Sequence, residues 1–166
     1  MAPEIDNIDR GILHLLQVDA RNTTAKEIAE QIDVSPSTVR NRIDELENSG
    51  VITGYHPEID YEAADLPLEM IFIITAPPTE RGNVVDKLLD IKGVVDVRET
   101  LTGKQNIHVH VVGTNKSDIT RLSDAIHDLD VDIESAEMVK QRYTQPFNHF
   151  YYEGELIGED VEDEEG

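Results

Sequence analysis

Apolar residues at Ile5, Ile8, Ile12, Leu15 and Leu16, with Leu13 beside them, recur at helical spacing and predict a first helix over about 6–18. Asn22, Thr23 and Thr24 offer N-caps ahead of a short segment in which Ala25, Ile28, Ala29 and Ile32 share a face, a second helix over about 24–31. Asp33-Val34 makes a tight connection. Ser35-Pro36 then supplies a cap followed by proline at the first helical position, where no backbone donor is needed. Val39, Ile43 and Leu46 form the buried stripe of a third helix, and Asn48-Ser49-Gly50 contains its stop.

The pattern then changes. Val51 to Ile59 reads as extended, broken by Gly54 and Pro57, and Tyr61 to Pro67 reads as a connector. Leu68 to Thr75 is a nearly continuous apolar run, as in a strand buried in a sheet, and Pro77-Pro78 ends it. Val84, Val85, Leu88, Leu89 and Ile91 predict a helix closed by Lys92-Gly93. Val94 to Thr102 and Ile107 to Gly113 are strand-like runs flanking Gly103-Lys104-Gln105-Asn106, a length suited to a hairpin. A further helix is marked by Ile119, Leu122, Ala125, Ile126 and Leu129, and a last strand by Asp132 to Gln141. The order βαββαβ is that of the ferredoxin-like split unit. The fold class is therefore α+β: a three-helix domain over 1–60, a connector over 61–67, a ferredoxin-like domain over 68–150 and an acidic tail over 151–166. Within that tail Glu153 to Gly166 holds eight acidic and no basic residues, and its end is expected to be solvated and disordered.

Composition narrows the function classes. No apolar run approaches the roughly 20 residues that span a bilayer, and Met1 to Arg10 carries acidic rather than basic residues, so no membrane partner is expected and a cytoplasmic location is. The absence of cysteine excludes disulfides, thiolate metal sites and a cysteine nucleophile. No P-loop, G-x-G-x-x-G or G-x-S-x-G element occurs, and neither a catalytic constellation nor a cofactor is expected. The formal charge of −21 is diffuse, with five Lys/Arg against twelve Asp/Glu in residues 1–60 and nine against twenty-three in residues 61–166. Such a surface suits molar salt, where repulsion is screened within about 3 Å. The alternative is an ordinary acidic protein of low-salt surroundings.

The second and third helices have the length and turn of a helix-turn-helix, a winged one if the extended stretch after Val51 pairs. With Val39, Ile43 and Leu46 inward, Ser37 and Asn41 lie at the centre of the outward face, and Thr38, Arg40 and Arg42 along its shoulders. Arg and Asn can make bidentate contacts to guanine and adenine edges, while hydroxyls and a helix N-terminus can hold phosphate. Ser35, Ser37, Thr38, Arg40, Asn41 and Arg42 are thus the candidate contacts to double-stranded DNA, against the reading of a solvated face with capping hydroxyls and an intrachain role for one arginine. His108 and His110 alternate on one strand and point the same way, with Asp96 and Arg98 on the same sheet face. That spacing permits metal binding, a polar ligand or a subunit contact fits at least as well, and the plainest reading is a hydrogen-bonded or solvated polar face.

The run Ile5-Asp6-x-x-Asp9-Arg10-x-Ile12-Leu13, followed by Asp19-Ala20-Arg21, Ile28-Ala29, Val34-Ser35-x-Ser37-Thr38-Val39-x-x-Arg42-Ile43 and Leu46-Glu47-x-x-Gly50-Val51-Ile52-x-Gly54-Tyr55, resembles the leucine-responsive regulator (Lrp/AsnC, feast/famine) family. With the acidic composition, it resembles a haloarchaeal member. The resemblance implies a sequence-specific transcriptional regulator in which the third helix reads DNA and the second domain dimerises, often building octamers. It also implies an amino acid or other small-molecule effector between subunits near the Thr102-Gly103 hairpin, which makes Gly103, Lys104, Gln105 and Asn106 the candidate effector residues. The family's aspartate three residues beyond that glycine, facing the ligand's ammonium, is Asn106 here, and this departure removes a charge-assisted bond. The rival reading is an effector-sensing or metal-responsive oligomer with weak or no DNA binding.

Overall fold

Asp6 opens the first helix by bonding across its first turn: its carboxylate accepts the Asp9 N–H at 2.9 Å while the Asp9 carboxylate accepts the Asp6 N–H at 3.1 Å. This reciprocal box satisfies two donors that helix geometry leaves without partners, and α1 spans Asn7–Asp19. Thr24 and Glu27 repeat the device for α2 (Ala25–Gln31). The computed structural model describes residues 4–147, 151–152 and 155–156.

Two Schellman closures then shape the helical unit. Asp33 takes the left-handed conformation (φ 51°) and lets the Val34 N–H reach back to the Ala29 carbonyl at 3.0 Å, which turns the chain from α2 into α3 (Pro36–Asn48). Gly50 (φ 75°) ends α3 likewise, with the Val51 N–H donating to Leu46 at 2.9 Å. Ile12, Leu15, Ile28, Ala29, Ile32, Val39 and Leu46 form the shared core, and each fully buried aliphatic side chain there contributes about 1.5–3 kcal/mol. After Ile52 the stretch to Ile59 forms no strand among the described residues. Gly54 and Pro57 disfavour a strand there, and no described segment pairs with it.

The second unit is a four-stranded antiparallel sheet in the order β2-β3-β1-β4, built from β1 (Leu68–Thr75), β2 (Val94–Glu99), β3 (Ile107–Gly113) and β4 (Asp132–Met138). Helices α4 (Arg81–Leu89) and α5 (Lys116–His127) connect β1 to β2 and β3 to β4, as in the ferredoxin-like arrangement. Phe72, Ile74, Val109 and Val111 from the sheet pack with Leu88 of α4 and Leu122 of α5. Strand β2 ends at Glu99 rather than Thr102: the Thr100 N–H makes one more cross-strand bond, to the Asn106 carbonyl at 2.8 Å, and beyond it the chain turns, with Gly103 at φ 102°. Strand β4 ends at Met138 rather than Gln141 and carries a register shift opposite Ile73/Ile74.

By contacts the chain divides between Pro57 and Glu58 and again between Arg142 and Tyr143, so the expected connector belongs with the sheet while the chain after Arg142 returns to the helices. The return is anchored at Phe147, whose N–H donates to Gln17 Oε1 at 3.1 Å and whose carbonyl lies 3.2 Å from Nδ1 of the buried His14. Within the stretch read as an acidic tail, β5 (Tyr151–Tyr152) pairs antiparallel with β6 (Glu155–Leu156). His149, Phe150 and the remainder of that tail lie outside the described residues.

Candidate nucleic-acid interface

Ser35 sets up α3: its hydroxyl oxygen accepts the Thr38 N–H at 3.1 Å and shares hydrogen bonds with the hydroxyls of Ser37 and Thr38, each at 2.8 Å. With Pro36 at the first helical position, the helix begins rigidly. Ser37, Arg40 and Asn41 are exposed on the outward face, Thr38 is half-buried, and Val39 and Leu46 are buried on the opposite one. Neither the Arg40 nor the Asn41 side chain has a hydrogen bond or ion pair with any described residue. The two long directional groups on this face are therefore uncommitted.

Arg42, expected beside them, is committed elsewhere. Its Nη2 lies 2.9 Å from Asp6 Oδ2, and its Nη1 lies 3.5 Å from Asp9 Oδ2 and 3.9 Å from Glu45 Oε2. The guanidinium thus ties α3 to the capping box of α1, the intrachain role that periodicity left open. Burial raises the Asp9 carboxyl above its ordinary pKa, and the neighbouring Asp6 charge adds to this. Burial acts on Asp6 as well, but the Asp9 N–H and the Arg42 charge outweigh it and hold that carboxyl low. These partners escaped sequence reasoning because they lie 36 and 33 residues from Arg42, with only the i,i+3 carboxylates of the box as a local signal.

The candidate effector residues divide in the same manner. Gly103 (φ 102°), Lys104 and Gln105 are exposed, and nothing lies within 4 Å of where a Gly103 Cβ would stand. Lys104 Nζ approaches Glu134 Oε1 at 3.5 Å, and the Thr75 hydroxyl lies within bonding reach of the Lys104 carbonyl (3.0 Å) and Glu134 (2.8 Å). Asn106 instead faces inward at 3% exposure: its Oδ1 accepts the Ala76 N–H at 3.0 Å and its Nδ2 donates to the Ala76 carbonyl at 2.9 Å. Both ends of its amide are thereby used by the backbone beyond β1.

The sheet face away from α4 and α5 carries the expected polar set. Asp96 is registered against His110 and Arg98 against His108, and Arg98 Nε bonds Asp96 Oδ2 at 2.9 Å. His110 Nε2 lies 2.6 Å from Glu69 Oε1, and the Tyr61 ring meets the His110 ring edge-on at 6.4 Å. The Glu69 contact depends on β1 lying beside β3, which alternation within one strand does not reveal. Among the described residues no group of three or more His, Asp or Glu is arranged to hold a metal ion.

A family profile described as winged helix-turn-helix DNA-binding matches residues 5–53. The HTH-type transcriptional regulator AldR of Mycobacterium tuberculosis is 30% identical over 135 residues, 80% of this chain and 74% of that one. The HTH-type transcriptional regulator LysM of Sulfurisphaera tokodaii is 35% identical over 126 residues, 76% of this chain and 87% of its own. The crystal structure of the M. tuberculosis AldR superposes with a TM-score of 0.71 at 25% identity, over 84% of this chain and 97% of that one. A feast or famine regulatory protein of M. tuberculosis, complexed with L-methionine, shares the fold with a TM-score of 0.76 at 24% identity, over 89% of this chain and all of that one.

Proposed function

The chain belongs to the leucine-responsive (Lrp/AsnC, feast/famine) family of helix-turn-helix transcriptional regulators, and from that premise we propose that a dimer sets two α3 helices into successive major grooves of a palindromic operator. Symmetry in the protein is then mirrored in the site. Arg40 and Asn41 read base edges, Ser37 and Thr38 help position the helix on phosphate, and Ser35 and Arg42 hold α3 in place from behind. The observation carrying this assignment is the pair of uncommitted side chains, Arg40 and Asn41, on the outward face of a firmly capped helix.

Dimerisation uses the sheet face without helices, where half-buried Ile71 and Ile73 lie beside the histidines; octamers of such dimers follow from the family resemblance. An amino acid or related small molecule sits near Gly103, Lys104 and Gln105, as methionine is the ligand named for the M. tuberculosis feast or famine protein. Asn106 supports that loop from within. The protein works without catalysis in a salt-rich cytoplasm; no described helix is long and apolar enough to cross a membrane.

Electrophoretic shifts of operator-sized fragments in potassium chloride, with and without an amino-acid panel, test this reading. Arg40→Ala and Asn41→Ala should each weaken cognate binding by about 1–3 kcal/mol. Unchanged affinity in both variants would refute the assignment, and no shift by the wild-type chain at any salt would leave the effector-sensing alternative.

A further inference from the structure

We propose that Asp44 is a specificity-determining residue of the α3 interface, accepting a hydrogen bond from the exocyclic amine of a cytosine in the major groove. This rests on the DNA-reading role proposed above. Asp44 is exposed and follows Ser37 and Asn41 at helical spacing on the same outward face. Three residues of α-helix rise about 4.5 Å, close to the roughly 3.4 Å of one base step, so Asp44 addresses the base pair next to the one that Asn41 meets.

The second half of α3 carries three carboxylates, and they are not equivalent. Glu45 Oε2 faces Arg42 at 3.9 Å, and Glu47 Oε1 accepts the Tyr55 hydroxyl at 2.9 Å. The Asp44 carboxylate has neither a hydrogen bond nor an ion pair with a described residue, and Arg40 one turn earlier does not pair with it. An anion carried into a groove flanked by phosphates lowers affinity unless it meets a donor. Two base-edge donors exist there, the amines of cytosine and adenine. The adenine amine stands beside the N7 acceptor of the same base, which a carboxylate opposes, whereas cytosine presents its amine without an adjoining acceptor on that base. Cytosine is therefore the match. The same charge weakens every register in which no amine faces it, so Asp44 sharpens selectivity while lowering the affinity for unrelated sequence.

Selection from a randomised operator library, using the full chain in molar potassium chloride, tests this with wild type, Asp44→Ala and Asp44→Asn. The wild-type chain should demand cytosine at one position of each half-site, with any other base weakening binding about 5- to 150-fold. Asp44→Ala should lose discrimination at that position alone, and Asp44→Asn should shift it toward adenine, whose donor and acceptor an amide matches. Circular dichroism of the variants confirms that this exposed position leaves folding intact. An unchanged base profile in Asp44→Ala, or a uniform gain in affinity for all sequences, would overturn the role of Asp44 while leaving the interface in place. Failure of the wild-type chain to select any sequence would overturn the DNA-reading function itself, and this inference with it.

Discussion

Arg42 shows how one side chain can sit on a reading helix and yet serve the fold. Its guanidinium stands among Asp6, Asp9 and Glu45, and the Asp9 side chain is only 5% exposed. An ionised carboxylate so placed needs a cation or donors around it. Arg42→Ala should therefore destabilise the protein by about 1–3 kcal/mol; the arginine's own one-third exposure keeps the loss below that of a fully buried pair. The pH dependence has a definite sign. Burial already raises the Asp9 carboxyl, so in the folded state it takes up its proton above its ordinary value, and removing the cation raises it further. Protonated Asp9 has no use for the guanidinium. The penalty of Arg42→Ala should thus be full at neutral pH and shrink as pH falls and Asp9 is protonated, as urea unfolding at pH 4 and pH 7 would measure. An equal penalty at both would mean that the loss lies not in the Asp9 charge but in the Asp6 pair, whose carboxyl is held low, or in packing of the arginine stem. Ser37, Arg40 and Asn41 were legible from helical period alone because they lie far from the buried stripe. Arg42 was not: it lies at the edge of that stripe, where turning toward DNA or toward α1 depends on a helix more than thirty residues away.

At the level of elements, local chemistry was the readable part. Thr24 and Ser35 cap helices and Gly50 closes one as read, whereas the Asp6 cap and the left-handed Asp33 emerged with the structure, and the helical bounds follow the apolar period to within a residue or two, save at the starts of α4 and α5. Strand ends were less legible because a ladder stops where the two chains part, as β2 and β3 do beyond the bond from Thr100 to Asn106. The return of Phe147 to α1 had no local signature at all. Asn106 shows where element and site meet. It closes the β2–β3 hairpin onto the chain after β1 by matching both the donor and the acceptor of Ala76, which a carboxylate cannot do. Asn106→Asp, although it restores the residue type expected from the family, should cost about 1–3 kcal/mol by setting a carboxylate against the Ala76 carbonyl. Acid should return part of the loss, since a protonated aspartate regains a donor. Thermal unfolding of the variant at pH 4 and pH 7 would check this, and unchanged stability at pH 7 would show that the Asn106 amide is dispensable and free to face a ligand.

For the whole molecule, the deciding quantity is a formal charge of −21 on a protein whose partner is a polyanion. The helical unit makes the conflict sharper, because among its few cations Arg42 is held by carboxylates and Lys26 faces Glu30 at 3.7 Å. Association with DNA ordinarily gains from counterion release, and that gain shrinks as bulk salt approaches the concentration condensed around the duplex. At low salt the unscreened carboxylates repel phosphate and one another, opposing both binding and compact folding. In molar salt the repulsion is confined to a Debye length of about 3 Å, leaving hydrogen bonds, shape fit and apolar contact to supply affinity. Specific binding is therefore expected to depend weakly on salt or to strengthen with it. Cognate-site affinity from roughly 0.2 to 3 M potassium chloride, with folding followed by circular dichroism over the same range, would measure this. If affinity fell steeply with rising salt while the protein stayed folded throughout, a concentrated cationic surface would have to be driving association, and neither the salt-adapted reading of the charge nor the small contact set assigned to α3 would survive.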